Sequence, residues 1–118
     1  MVEAYYEKFG SSQHDPEGLN RWAMLLQNQG DRLLAQGDMS GAQVKYGRSL
    51  EISRQLVKED PENGAWEAVL SVRYEKVGDL LLAQGDLNRA RTQFRRLLEI
   101  QHNLARRNPA IWLGNVVC

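Results

Sequence analysis

The sequence predicts an all-α fold built from antiparallel helical hairpins, and three observations lead to this prediction. Aliphatic residues are plentiful and the 118 residues include only 3 prolines, a balance that favours helix over sheet. One segment of the chain recurs at a fixed offset. The same turn-forming residues punctuate both copies of that segment. A chain of this length is expected to form one domain.

The internal repeat is the strongest of these signals. Residues 30–38 are GDRLLAQGD, and residues 78–86, which lie 48 positions later, are GDLLLAQGD. Across residues 30–52 and 78–100, 13 of 23 aligned positions are identical. A match of this quality within one chain indicates that a single structural unit occurs twice.

Each copy is predicted to contain two helices separated by a tight turn. In the first copy we expect helices over residues 19–36 and 39–59. In the second we expect one helix from about residue 63 to the Gly-Asp pair at 85–86 and another over 87–107. Glycine supplies the left-handed stop and aspartate caps the next helix, so each Gly-Asp break folds the two helices back antiparallel. Asp-Pro and Asn-Pro pairs end the second helices, because proline disfavours helix in the residue before it.

A glycine lies inside the first helix of both copies, at Gly30 and Gly78. Glycine within a helix costs about 1 kcal/mol relative to alanine. Its recurrence at one repeat position, with Ala42 and Ala90 on the second helices, predicts that the paired helices approach closely there.

The spacing of large, small and aromatic residues resembles that of the tetratricopeptide repeat family over roughly residues 19–112. In the second copy the matching residues are Tyr74, Val77, Gly78, Leu81, Ala90, Phe94 and Leu97, and in the first they are Leu26, Gln29, Gly30, Leu33, Ala42, Tyr46 and Ser49. The family period is about 34 residues, so a period of 48 indicates a long-helix variant of the kind found in bacterial proteins. The resemblance implies a short right-handed solenoid of stacked hairpins.

The resemblance also divides the chain into four segments. They are a partial helix and loop over residues 1–18, one repeat over 19–62, a second over 63–109, and a partial third repeat or cap over 110–118.

In this family the first helices line a concave groove that binds a partner protein. By resemblance, the groove positions are Met24, Gln27, Asp31, Leu34, Val72, Glu75, Asp79 and Leu82. Family members that clamp the carboxylate of a peptide C-terminus use Lys, Arg and Asn at the charged positions. This chain has glutamine and acidic residues instead, which favours a basic or neutral peptide or helix over an acidic C-terminus. The alternative is that Asp31 and Asp79 pair internally, with Arg73 or Lys76.

Two other functions remain as alternatives. Apolar residues near the end of the chain suggest self-association into a homo-oligomer, through Ile111, Trp112, Leu113, Val116 and Val117. The segment 89–107 carries six arginines and one glutamate, which suggests nucleic-acid binding. That function is less favoured, because second helices form the outer face in the family it resembles.

Catalysis, cofactors and membranes are all disfavoured by the sequence. The two histidines, His14 and His102, lack the spacing of a metal pair, and Cys118 is the single cysteine. No residues assemble a nucleophile, a base and an orienting group, so we expect neither an enzyme nor a cofactor. The apolar runs are too short to span a bilayer and no signal peptide is evident, which predicts a cytoplasmic protein.

Overall fold

A computed structural model describes residues 15–107, and these form four helices. The helices are α1 over Pro16–Ala35, α2 over Met39–Glu59, α3 over Gly64–Ala83 and α4 over Leu87–Arg107. The all-α prediction is confirmed for this part of the chain. The expected partial helix in 1–18 lies almost wholly outside the described residues, and the expected cap over 110–118 lies wholly outside them.

The two Gly-Asp turns have the same conformation. Gly37 and Gly85 have φ angles of 87° and 82°, in the left-handed region that glycine adopts without steric strain. Asp38 then accepts a hydrogen bond of 2.8 Å from the backbone N–H three residues later, and Asp86 accepts one of 3.2 Å from the equivalent N–H. The predicted stop and cap are therefore both present, and they set where α2 and α4 begin.

The first helices differ from their predicted bounds by a few residues. Helix α1 begins at Pro16, three residues before the predicted start. Proline favours the first helical turn because its φ is already helical and its missing N–H is not needed there. Helix α3 begins at Gly64, where the side chain of Asn63 accepts a hydrogen bond of 3.1 Å from the N–H of Trp66.

Each helix glycine lies directly against an aromatic ring of the second helix. A Cβ atom built on Gly30 would lie 2.6 Å from Cε1 of Tyr46, and one built on Gly78 would lie 2.8 Å from Cζ of Phe94. Both distances are far shorter than a normal carbon–carbon contact. The close approach predicted from the repeated glycines is thus explained by the ring that fills each space.

The core runs along the interfaces of consecutive helices. Helices α1 and α2, α2 and α3, and α3 and α4 pack against one another. One apolar cluster consists of Leu19, Trp22, Leu26 and Leu56, with Ile52 and Trp66 against it. A second consists of Ala42, Tyr46 and Leu80, with Leu33, Leu34 and Val77 against it. Because both clusters draw residues from α3 as well as from the first hairpin, the two hairpins share one core.

Candidate functional site

Helices α1 and α3 carry the predicted groove residues, and polar side chains join these two helices directly. Nζ of Lys76 lies 3.3 Å from Oδ1 of Asp31, and the guanidinium of Arg73 donates to Oε1 of Gln27. The paired residues are separated by 45 and 46 positions, so the contacts advance in the same direction along both helices. The two helices therefore lie side by side and run parallel.

A cleft of about 310 Å³ opens between α1 and α3 near their C-terminal ends. Three of the predicted groove residues line it together: Asp31 and Leu34 from α1, and Asp79 from α3. Ala35, Tyr46 and Lys76 complete the lining. The cleft thus combines two carboxylates and one ammonium group with apolar walls.

Asp31 is held by two internal partners. It accepts a hydrogen bond from the hydroxyl of Tyr46, and it pairs with Lys76. Burial raises the pKa of Tyr46, and the hydrogen bond to Asp31 and the negative charges of Asp31 and Asp79 raise it further. The expected internal pairing of Asp31 is confirmed for Lys76. Asp79 is exposed on the neighbouring turn of the cleft.

The remaining groove positions differ in exposure. Three apolar side chains are well exposed: Met24 at 48%, Val72 at 40% and Leu82 at 47%. Glu75 is exposed as well, whereas Gln27 is half-buried against Arg73.

Arg73 is a structural feature that the sequence did not reveal. It is only 4% exposed, its Nε donates a 3.2 Å hydrogen bond to Oγ of Ser53, and Nη2 has no partner among the described residues. Burial lowers the pKa of this guanidinium. The suggestion that Arg73 pairs with Asp31 or Asp79 is wrong, because its hydrogen bonds go to Gln27 and Ser53.

The position of Arg73 in the repeat offers the one sequence signal for this role. In the first copy the equivalent residue, 48 positions earlier, is Leu25. The exchange marks a position at which the two copies differ, but the burial of Arg73 follows only from the structure, since Arg32 in place of Leu80 is exposed. Arg73 thus links α3 to both α1 and α2 across the boundary between the two hairpins.

Four of the six arginines of α4 have partners among the described residues, including Arg106, which donates a 2.9 Å hydrogen bond to Oδ1 of Asn103. Arg107 forms an ion pair with Glu67, and Arg89 lies 3.5 Å from the carboxylate that caps its own helix. Arg96 stacks over the ring of Tyr74, with its Cζ 5.9 Å from the centroid. These contacts engage part of the charge on α4, and exposed ion pairs of this kind contribute little to stability.

Other site types receive no support from the described residues. Within 15–107 no group of three or more His, Cys, Asp or Glu side chains is placed to hold a metal ion. No helix of that range is long and apolar enough to cross a membrane. The proposed self-association residues, from Ile111 to Val117, lie outside the described part of the chain. Comparison with protein-family models, curated proteins and solved structures finds no match to this chain.

Proposed function

We propose that this protein is a tetratricopeptide-type interaction module, in which α1 and α3 together present a concave groove to a partner protein. Three features support the proposal. The hairpin repeats with a period of 48 residues. The glycine-to-ring contact recurs in both hairpins. The first helices lie parallel and adjacent, as the successive first helices of a right-handed solenoid do.

The partner segment is a basic or neutral peptide or helix. The observation that carries this is the cleft in which Asp31 and Asp79 meet beside Leu34. A lysine or arginine of the partner extends its apolar stem over Leu34 and places its charge near the two carboxylates. Exposed Met24 and Val72 then provide apolar contacts farther along the groove.

The nature of the groove also separates this protein from carboxylate clamps. Gln27 and Glu75 occupy the positions where a clamp needs cationic or amide donors, and Gln27 is already engaged with Arg73. A partner carboxylate meets net negative charge here, which disfavours its binding. We infer a cytoplasmic binding protein that needs no cofactor, and not an enzyme.

A pair of matched peptides tests the proposal. One is a labelled peptide that alternates leucine and lysine, and the other has glutamate at every lysine position. Fluorescence anisotropy measures the affinity of each for the full chain. We expect the lysine peptide to bind at least about tenfold more tightly.

Substitution of Asp79 locates the binding. Asp79 is exposed, so Asp79→Lys leaves the fold intact while it reverses the charge of the cleft. We expect Asp79→Lys to remove most of the preference for the lysine peptide. Glu51→Lys, which makes the same charge change at an exposed position of α2, is the matched control and retains the preference. Equal loss in both variants would mean that net charge alone, and not the cleft, determines binding.

A further inference from the structure

Helix α2 shows how a second helix of this repeat receives a neighbour. On the face that meets α3, Gln43 accepts a 3.1 Å hydrogen bond from Gln84, and Ser53 accepts one from Arg73. Leu50 lies on the same face, seven residues after Gln43 and three before Ser53. This face is therefore a helix-binding surface within the protein itself.

The equivalent face of α4 is open in the described structure. Shifted by 48 positions, it contains Arg91, Leu98 and Gln101, with Leu87 and Ala105 extending it by one turn at each end. We call these five residues the α4 outer face. Leu87 and Leu98 are 60% and 62% exposed, whereas Leu50 of α2 is half-buried. The α4 outer face spans about 27 Å at a rise of 1.5 Å per residue, enough for a partner helix of five turns.

Charge determines which helix fits this surface. Exposed arginines flank Leu98, with Arg91 seven residues before it and Arg95 three residues before it, and exposed His102 lies four residues after it. The nearest acidic residue on α4, Glu99, is exposed next to Leu98 but lies about 100° around the helix. The α4 outer face is therefore a mixed strip, in which Arg91 and Gln101 interrupt the apolar side chains, and its border is basic.

We propose that the α4 outer face binds an amphipathic helix of another protein, one with an apolar stripe flanked by glutamate or aspartate. The structure of α3 on α2 supplies the template for the packing, and the arginines supply the charge preference.

A second copy of this chain is a poorer occupant, because its α1 carries a cation at the position where α3 carries a buried leucine. Where α3 places Leu80 against α2, α1 has the exposed Arg32. In a head-to-tail dimer with the same packing, Arg32 would approach the basic border of the α4 outer face.

Two synthetic helices of about 20 residues test this proposal. Both carry leucines at helical spacing, one with glutamates and the other with lysines beside them. Calorimetry against the full chain is expected to show at least about tenfold tighter binding of the glutamate helix. Leu98→Gln is expected to weaken that binding about tenfold or more. Val44→Gln on α2, where Val44 is 60% exposed, is the matched control and leaves it unchanged.

The same titrations give the results that would overturn the proposal. Equal binding of the two synthetic helices, or no binding of either, would overturn it. So would a Leu98→Gln variant that keeps the native helix content and binds the glutamate helix as tightly as wild type. Concentration-dependent dimers that dissociate in Leu98→Gln would assign the surface to a second copy instead. The test is independent of the groove, because Asp79→Lys is expected to leave the affinity for the glutamate helix within about twofold.

Discussion

The two hairpins share the contacts that hold each one together. In both, a glycine of the first helix lies against an aromatic ring of the second, Gly30 against Tyr46 and Gly78 against Phe94. Both also turn through a left-handed glycine followed by a capping aspartate. The residues that repeat are thus the ones that build the hairpin itself.

The two hairpins differ in the residues that face outward, toward a neighbouring helix or solvent. Helix α2 is covered by α1 and α3 and buries five residues, whereas α4 buries only Ala90 within the described structure. The residues that differ between copies follow this difference. Leu80 packs between the hairpins and Arg32, its repeat equivalent, is exposed. At this position the difference between the copies therefore reflects the different neighbours of the two hairpins.

The largest effect is expected from the residue that joins the hairpins. Leu80 is 1% exposed in the cluster with Ala42 and Tyr46, so Leu80→Ala leaves a cavity between the hairpins. We expect it to lower the free energy of unfolding by about 3 kcal/mol. Arg32→Ala, the matched change in the first hairpin, is expected to alter it by less than about 0.5 kcal/mol. Urea unfolding measures the free energy of unfolding of both variants. Comparable losses in the two would contradict the conclusion that the hairpins differ at this position.

A smaller effect on stability is expected when the helix glycines that contact the aromatic rings are replaced by alanine. Gly30→Ala gains about 1 kcal/mol of helix propensity but forces a methyl group against a ring that is buried and hydrogen-bonded to Asp31. We expect a net destabilisation of about 1–2 kcal/mol. Phe94 is only half-buried, so displacing its ring costs less than displacing Tyr46, and Gly78→Ala is expected to lie within about 1 kcal/mol of wild type. Thermal unfolding of the two variants measures their losses of stability. A larger loss for Gly78→Ala than for Gly30→Ala would contradict this prediction.

The smallest effect concerns Tyr46, which has phenylalanine as its equivalent in the second hairpin. Its pKa is raised in the folded protein, so folding favours the protonated phenol. This contribution is complete below the ordinary pKa of 10.0 and is lost as the pH rises above it, because the unfolded chain then ionises first. We expect Tyr46→Phe to lose stability less steeply than wild type above about pH 10.

Urea unfolding at a series of alkaline pH values measures that slope. Tyr74→Phe removes a hydroxyl from another buried ring and controls for the loss of a phenol as such. Parallel slopes for wild type and Tyr46→Phe would show that Tyr46 makes no contribution of this kind.

The local structure was largely predictable from the sequence. The bounds of α2 and the start of α4 agree with the prediction, because Gly-Asp turns and the Asp60-Pro61 pair act through neighbouring residues alone. The predicted start of α1 lies three residues after the observed one. Apolar spacing marks where a helix becomes buried, whereas Pro16 begins this helix earlier, on the surface.

The site was predictable only in part. The positions of Asp31, Leu34 and Asp79 in one cleft follow from the repeat, since equivalent residues face the same way. The contact of Gln27 with Arg73 was missed, because it depends on how far one hairpin slides along the other. That offset is set by packing between distant residues, including Leu80 against Ala42, which local sequence patterns do not contain.

Locating the lysine–leucine peptide on the protein tests the proposed binding groove most directly. Backbone amide shifts of ¹⁵N-labelled full chain, followed during a titration, report which helices meet it. We expect the largest changes on the exposed face shared by α1 and α3, at Met24, Val72, Asp79 and Leu82. Changes confined to α2 or α4, or no saturable change at all, would contradict the claim that this face is the binding groove.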